Sequence, residues 1–279
     1  MSHVFAEKRT IICIVRIKAL TLPSGYDNNS VMAFSNGVFG HHEHRIYRST
    51  FLRKVEGAIV LDGAGWMNKE GIVRMRQFGE KRFGPTLSEG FKSGAVSFKS
   101  IDGKFNYTFD KTRAMVEISQ KGYVSFDDTL RGAFVKMRDF GTEVVGSGTV
   151  RRVEIKKSNL MMVMTGKNEG KLDELLRCML RGEYGDLLME GNSREAGIVK
   201  NVKGISDDIG DGGRIVREIG WDKEAKGRID ITLDITAVYE PEGGMETRQV
   251  VEKSEELNQL MFDAFLDTVS DACKSMMEA

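Results

Sequence analysis

The sequence predicts a mainly β, α+β fold: a β-sandwich or barrel with one flanking helix, an inserted β-rich region and a C-terminal amphipathic helix. Three observations lead there. From Ile229 to Glu240, apolar residues (Ile229, Ile231, Leu233, Ile235, Ala237, Tyr239) alternate with Asp230, Thr232, Asp234, Thr236, Val238 and Glu240. Successive strand side chains point to opposite faces, so this strand has one apolar face and one carboxylate-hydroxyl face. A slip of one residue would bury the acids. Glycine is abundant and proline scarce, 31 against 3, which suits tight strand connections better than disordered linkers. Finally, Leu172, Leu175, Leu176, Met179 and Leu180 recur at i, i+3, i+4, i+7 and i+8, one stripe at helical period.

Taken in order, residues 9 to 22 read as a β-branched strand (Ile11, Ile12, Cys13, Ile14, Val15, Ile17) that ends at Leu22-Pro23-Ser24-Gly25. The segment from Tyr26 to Gly40 has loop chemistry, and Glu56 to Asp62 reads as a second strand. From 91 to 150 short alternating runs follow, among them Phe105, Tyr107 and Phe109, broken at Asp102-Gly103, Lys121-Gly122 and Gly146-Ser147-Gly148. The central helix takes Asn168 as its N-cap and Glu169 in its first turn. Arg177 and Arg181 lie at its carboxyl end, with Gly182 as a left-handed stop. A last helix over about 254 to 277 carries Leu257, Leu260, Met261, Ala264, Phe265, Thr268, Ala272 and Met276 on one face. Glu255, Glu256, Asp263, Asp267 and Asp271 fill much of the rest.

Composition excludes several classes. Lys+Arg and Asp+Glu balance at 41 each, so no overall field steers the chain to nucleic acid or an anionic membrane. Residues 41 to 82 are nevertheless rich in Arg, Lys and His, and the last 28 residues are acidic. Cys13, Cys178 and Cys273 are too few and scattered for a disulfide framework or zinc site, and fit a reducing cytosol. The N-terminus lacks the pattern of a signal peptide and no apolar run is long enough to span a membrane. Gly63-Ala64-Gly65 lacks the third glycine of a dinucleotide fingerprint, and no phosphate-binding Gly-Lys-Ser/Thr loop occurs. No cofactor is implied.

Four clusters carry chemistry-bearing residues. His41, His42 and His44, with Glu43 among them, could hold a metal or form a pH-sensitive patch; an exposed loop is the plainer reading. Arg74, Arg76, Lys81 and Arg82 interleave with Met75, Phe78 and Phe83. They read as a surface for phosphate and bases, or as a strand with one core face and one charged face. Asp207, Asp211 and Glu218 fall at positions one, five and twelve of a calcium loop. Ile209 and Arg214 break that pattern, so a glycine-rich turn between strands is the plainer reading. Asp230 and Asp234 flank Thr232 on one strand face about 13 Å apart, too far to share a proton. That face reads as a surface, not a catalytic pair.

Residues 149 to 240 resemble the tail-tube proteins of bacteriophages and the tubes of contractile injection machines. The likeness rests on element order: a strand ending NLMMVMTGKNEG, the helix KLDELLRCMLRG, the strand AGIVKNVKGISDDIG, and GRIDITLDITAVYE preceded by Trp221-Asp222. The early IKALTLPSG adds the first strand and turn. The resemblance implies a tube-like core from 1–25 and 149–240, an inserted region over 26–148 and a helical extension over 241–279. It also implies a non-enzymatic virion subunit, assembled in the bacterial cytoplasm, that forms stacked hexameric rings around a lumen for DNA. Asp230, Thr232, Asp234 and Thr236 would line the lumen or the subunit seam. Two other classes compete: another viral structural or nucleic-acid-binding protein (capsid, matrix or nucleoprotein component) using the basic stretch, and an enzyme using His41 to His44 with Glu43 or Asp62.

Overall fold

The computed structural model describes residues 38–43, 47, 50–62, 66–83, 87–92, 94–164, 172–189, 200–224 and 228–278. The strand expected over 9–22, most of the loop after it, Cys13, His44 and the Asn168 cap lie outside the described residues. The strands are β1 (Leu52–Leu61), β2 (Leu87–Lys92), β3 (Ala95–Ser100), β4 (Phe105–Asp110), β5 (Arg113–Ser119), β6 (Thr149–Met164), β7 (Lys200–Gly210), β8 (Gly213–Glu224), β9 (Arg228–Tyr239) and the short β10 (Met245–Glu246). The helices are α1 (Lys69–Phe83), α2 (Arg131–Phe140), α3 (Leu172–Met179), α4 (Gly182–Met189), α5 (Val250–Thr268) and α6 (Asp271–Glu278).

Alternation in the sequence becomes one antiparallel sheet in the order β2-β3-β4-β5-β1-β6-β9-β8-β7, with β10 beside β6. The α+β class therefore holds. The sheet, however, is open rather than closed into a barrel, and helices occupy the place that a second sheet would take in a sandwich. Register sorts the residues into two faces. On one, Ile118, Val116 and Ala114 of β5 stand beside Val55, Gly57 and Ile59 of β1. These in turn neighbour Lys157, Ile155 and Val153 of β6, then Ile235, Ala237 and Tyr239 of β9. Helix α2 packs over β1 and β5, while α5 packs over β6, β8 and β9. Gly57 permits the close approach of α2: a Cβ there would lie 3.1 Å from the Phe134 ring and 3.3 Å from Leu130. Burying each such Phe or Leu contributes about 1.5–3 kcal/mol.

Several local readings are corrected. The stretch containing Arg74 to Phe83 is helix α1, not a strand. Its buried residues Gly71, Met75, Phe78, Gly79 and Phe83 follow helical spacing, with the cations on the outer side. Asn68 caps it, its Oδ1 accepting from Gly71 N at 2.8 Å. Residues 126 to 145 are also helical rather than alternating strands, with wide turns over Phe126–Leu130 and Gly141–Val145 flanking α2. Ser125 starts that run by accepting from Asp128 N, and Gly146 at φ 74° ends it. Gly182 does not adopt the left-handed conformation; it opens α4. The end of α3 is instead closed by a bridge between Leu180 and Val269 and by Ser270 N donating to Met179 O at 3.1 Å. That contact also splits the C-terminal helix into α5 and α6. The hairpin turns fall where expected, at Gly103 (φ 68°) and around Asp211-Gly212.

The strands within 52–119 and those within 149–240 share this sheet directly, since β1 lies between β5 and β6. Strand β9 is bonded on both sides, to β6 and β8 of its own chain, so its backbone hydrogen-bonding groups are engaged within the chain. The C-terminal helix docks on its own sheet. No helix among the described residues is long and apolar enough to cross a membrane.

Candidate functional site

The broadest candidate is the face of the sheet opposite α2 and α5. The residues between those facing the helices point here: Lys54, Glu56 and Ala58 on β1, Glu117, Met115 and Arg113 on β5, and Arg152, Glu154 and Lys156 on β6. Asp230, Thr232, Asp234 and Thr236 of β9 lie on this same face, and β8 brings Asp222, Gly220, Glu218 and Val216 beside them. The acids are not left to act alone. Lys156 Nζ lies 2.9 Å from Asp234 and 3.8 Å from Glu218, and Arg228 holds Asp230 at 2.9 Å. The hydrogen bond to Asp234 raises the Lys156 pKa. Lys54 bridges Glu56 and Glu117, and Arg113 lies 3.6 Å from Glu154. A mixed-charge ladder results, rather than the carboxylate-hydroxyl face that β9 alone presents.

Two sheet edges lie at opposite ends of this face. Strand β7 pairs with β8 on one side only, and β2 with β3 on one side only, among the described residues. Along β7, Lys200, Val202, Gly204, Ser206 and Asp208 are all exposed, Val202 by 49%. Unpaired strand edges present rows of N–H and C=O groups that template pairing with another chain.

The basic cluster lies on α1, and Lys81 and Arg82 are engaged by acids of its own chain. Arg82 pairs with Asp139 at 2.9 Å and with Glu143, Lys81 reaches Glu143 at 3.3 Å, and Arg74 donates to Val144 O. The Arg82 guanidinium in turn holds the Glu143 carboxyl below its usual range. Arg76 is exposed.

His41 and His42 do not converge on a metal; among the described residues, no group of three His, Cys, Asp or Glu side chains is placed to hold one. They fasten a short segment across α5. His42 Nε2 lies 2.9 Å from Asp267 Oδ1, and His42 N donates to Asp263 Oδ1 at 3.0 Å. His41 Nδ1 lies 3.9 Å from Asp263 Oδ2, Gly40 N donates to Asp267 Oδ2 at 2.7 Å, and Gln259 Nε2 donates to His42 O. Burial raises the Asp263 pKa against the pull of these donors. Asp62, a possible catalytic partner of the histidines, is bound by Arg151 at 2.6 Å.

The calcium-like residues are likewise engaged. Asp207 lies in β7 and binds Arg217 at 2.8 Å, Asp211 accepts from the Tyr239 hydroxyl at 3.2 Å, and Glu218 faces Lys156. Arg217 is a buried cation that sequence reading passed over. It donates to the Tyr184 hydroxyl at 2.6 Å and to Thr268 Oγ1 at 3.1 Å, with its guanidinium over the Phe39 and Tyr184 rings. Cys178 and Cys273 are free, and burial pushes the Cys273 thiol up to about 12, which leaves it inert near neutrality.

A comparison with protein-family models finds no match, and neither does a comparison with curated proteins.

Proposed function

We propose that this protein is a self-assembling structural subunit, one unit of a ring or tube of the tail-tube kind whose lumen passes DNA. The observation that carries this reading is the open sheet, which among the described residues has helices on one face and two unlike edges, β7 and β2, each paired on one side. Pairing β7 of one copy with β2 of the next is a head-to-tail contact, which generates a ring if the rotation closes and a filament if it does not. Such a ring would extend the sheet into one barrel, helices outside and the mixed-charge face inside. A lumen in which Lys156, Arg228, Arg113 and Lys54 each answer a carboxylate neither grips nor strongly repels phosphate. The pairing of Lys81 and Arg82 with Glu143 and Asp139 weighs against a dedicated phosphate-binding surface on α1.

Light scattering after size exclusion, with negative-stain microscopy, tests the reading. Rings or filaments about 100 Å wide are expected, the rough girth of six such domains. Val202→Lys with Ser206→Lys, at exposed positions on β7, should leave the circular dichroism spectrum unchanged and shift the population to monomer. A protein that stays monomeric at high concentration refutes assembly. Salt-dependent retention of nucleic acid by such a monomer would favour a binding protein instead.

A further inference from the structure

A pocket of about 490 Å³ opens at one corner of the helix-covered face, well away from the sheet surface discussed above. The end of α1 supplies Arg82 and Phe83, α2 supplies Lys136, the end of β3 supplies Ser100, the β3–β4 turn supplies Ile101 and Asp102, and β4 supplies Phe105 and Tyr107. Its floor is aromatic: Phe105 stacks on Tyr107 at 6.5 Å, and Phe83 lies 4.7 Å from Tyr107. At the rim Ile101 is 87% exposed, the most exposed large apolar side chain among the described residues. The charges around it are unequally satisfied. Arg82 is taken by Asp139 and Glu143, and Asp102 by Lys104 at 2.9 Å and by the Ser100 hydroxyl. Lys136 is different. Its ammonium sits over the Phe83 and Tyr107 rings at 5.5 and 5.4 Å and makes no ion pair or hydrogen bond among the described residues. Burial holds its pKa below the ordinary lysine value.

We propose that this pocket binds a planar aromatic carboxylate, its ring against Phe105 and Ile101 and its carboxylate accepting from Lys136 Nζ. An ammonium already stripped of part of its water, with no counterion among the described residues, gains most from a single anion brought to it. The volume falls in the range of small-molecule sites, where an apolar lining and a few placed polar groups set orientation. One cation without an ion pair among the described residues, beside Asp102, suits a monoanion better than a phosphate dianion. A lysine stem merely covering apolar surface would sit in the same place, and the two roles differ in what they predict for binding.

Calorimetric titration of the full chain with 2-naphthoate separates them, using 2-naphthamide and acetate as controls. Saturable binding at one site is expected, with the amide weaker by about tenfold or more, because a charge-assisted hydrogen bond is lost, and with no detectable heat from acetate. Lys136→Met should lose about tenfold or more on the same basis, and Ile101→Ser, at an exposed turn position, should weaken 2-naphthoate without altering the fold. Absence of saturable 2-naphthoate binding at millimolar concentration overturns the proposal. So does equal affinity for the acid and the amide, a comparison that needs no variant to fold.

Discussion

Replacing Lys157 by methionine removes a cation from between the sheet and α5, and the effect on stability should reverse with pH. Lys157 lies on the helix-covered face of β6, where its ammonium donates to Asn258 Oδ1 at 2.6 Å and sits 5.6 Å from the centre of the Tyr123 ring. Burial pushes its pKa down from 10.5 to about 8. That gap corresponds to roughly 3 kcal/mol held against the charged form. Between about pH 8 and 10.5 the unfolded chain keeps the lysine proton while the folded protein has released it, so this group makes stability rise with pH across that window. Below it, both states carry the charge and the folded protein bears the full penalty. Methionine lifts that penalty and leaves Asn258 without its donor, a loss of about 1–2 kcal/mol. The variant should therefore be about 1–2 kcal/mol more stable than the parent at pH 7 and about 1–2 kcal/mol less stable near pH 10.5. Urea unfolding of both proteins at pH 7, 8.5 and 10 measures the difference, in which Tyr107, Tyr123 and Cys273, common to both, cancel. A difference that stays constant within about 0.5 kcal/mol across that range would refute the reasoning.

Arg217→Met should cost about 3–5 kcal/mol, since it strands Asp207 beside a buried apolar side chain. Thermal melts should show the double variant with Asp207→Asn recovering part of that loss. Gly79→Ala places a Cβ 2.4 Å from the Phe98 ring, which is itself packed against Phe83. The expected loss is about 1–3 kcal/mol from overpacking, read as a lower urea midpoint at unchanged slope.

Where one face of a strand is apolar and the other polar, as in β9, the sequence states both the strand and its register, and the structure agrees. Hairpins at Asp102-Gly103 and Asp211-Gly212 were legible because only particular residues accept positive φ. Helix α2 was hidden in plain view: Leu130, Ala133, Phe134, Met137 and Phe140 keep helical spacing, but the adjacent hairpins favoured a period of two. Helix α1 misled because Arg74-Met75-Arg76 alternates locally, while its buried stripe includes two glycines that carry no hydropathic signal. The charged clusters were the least legible. His41 and His42 find Asp263 and Asp267 more than two hundred residues away. The spacing of those acids, one helical turn apart, was the only trace of it. Likewise nothing local marks Asp234 as the partner of Lys156, because the pairing depends on which strands become neighbours.

The fastening of Gly40 and His42 to α5 has a bearing on synthesis. A ribosome delivers residue 40 long before residue 263, so the nascent chain emerges with this clasp open. It also lacks a cover for the apolar rows of β6, β8 and β9 until α5 itself appears. A chain arrested before Val250 would therefore expose those rows to aggregation and proteolysis.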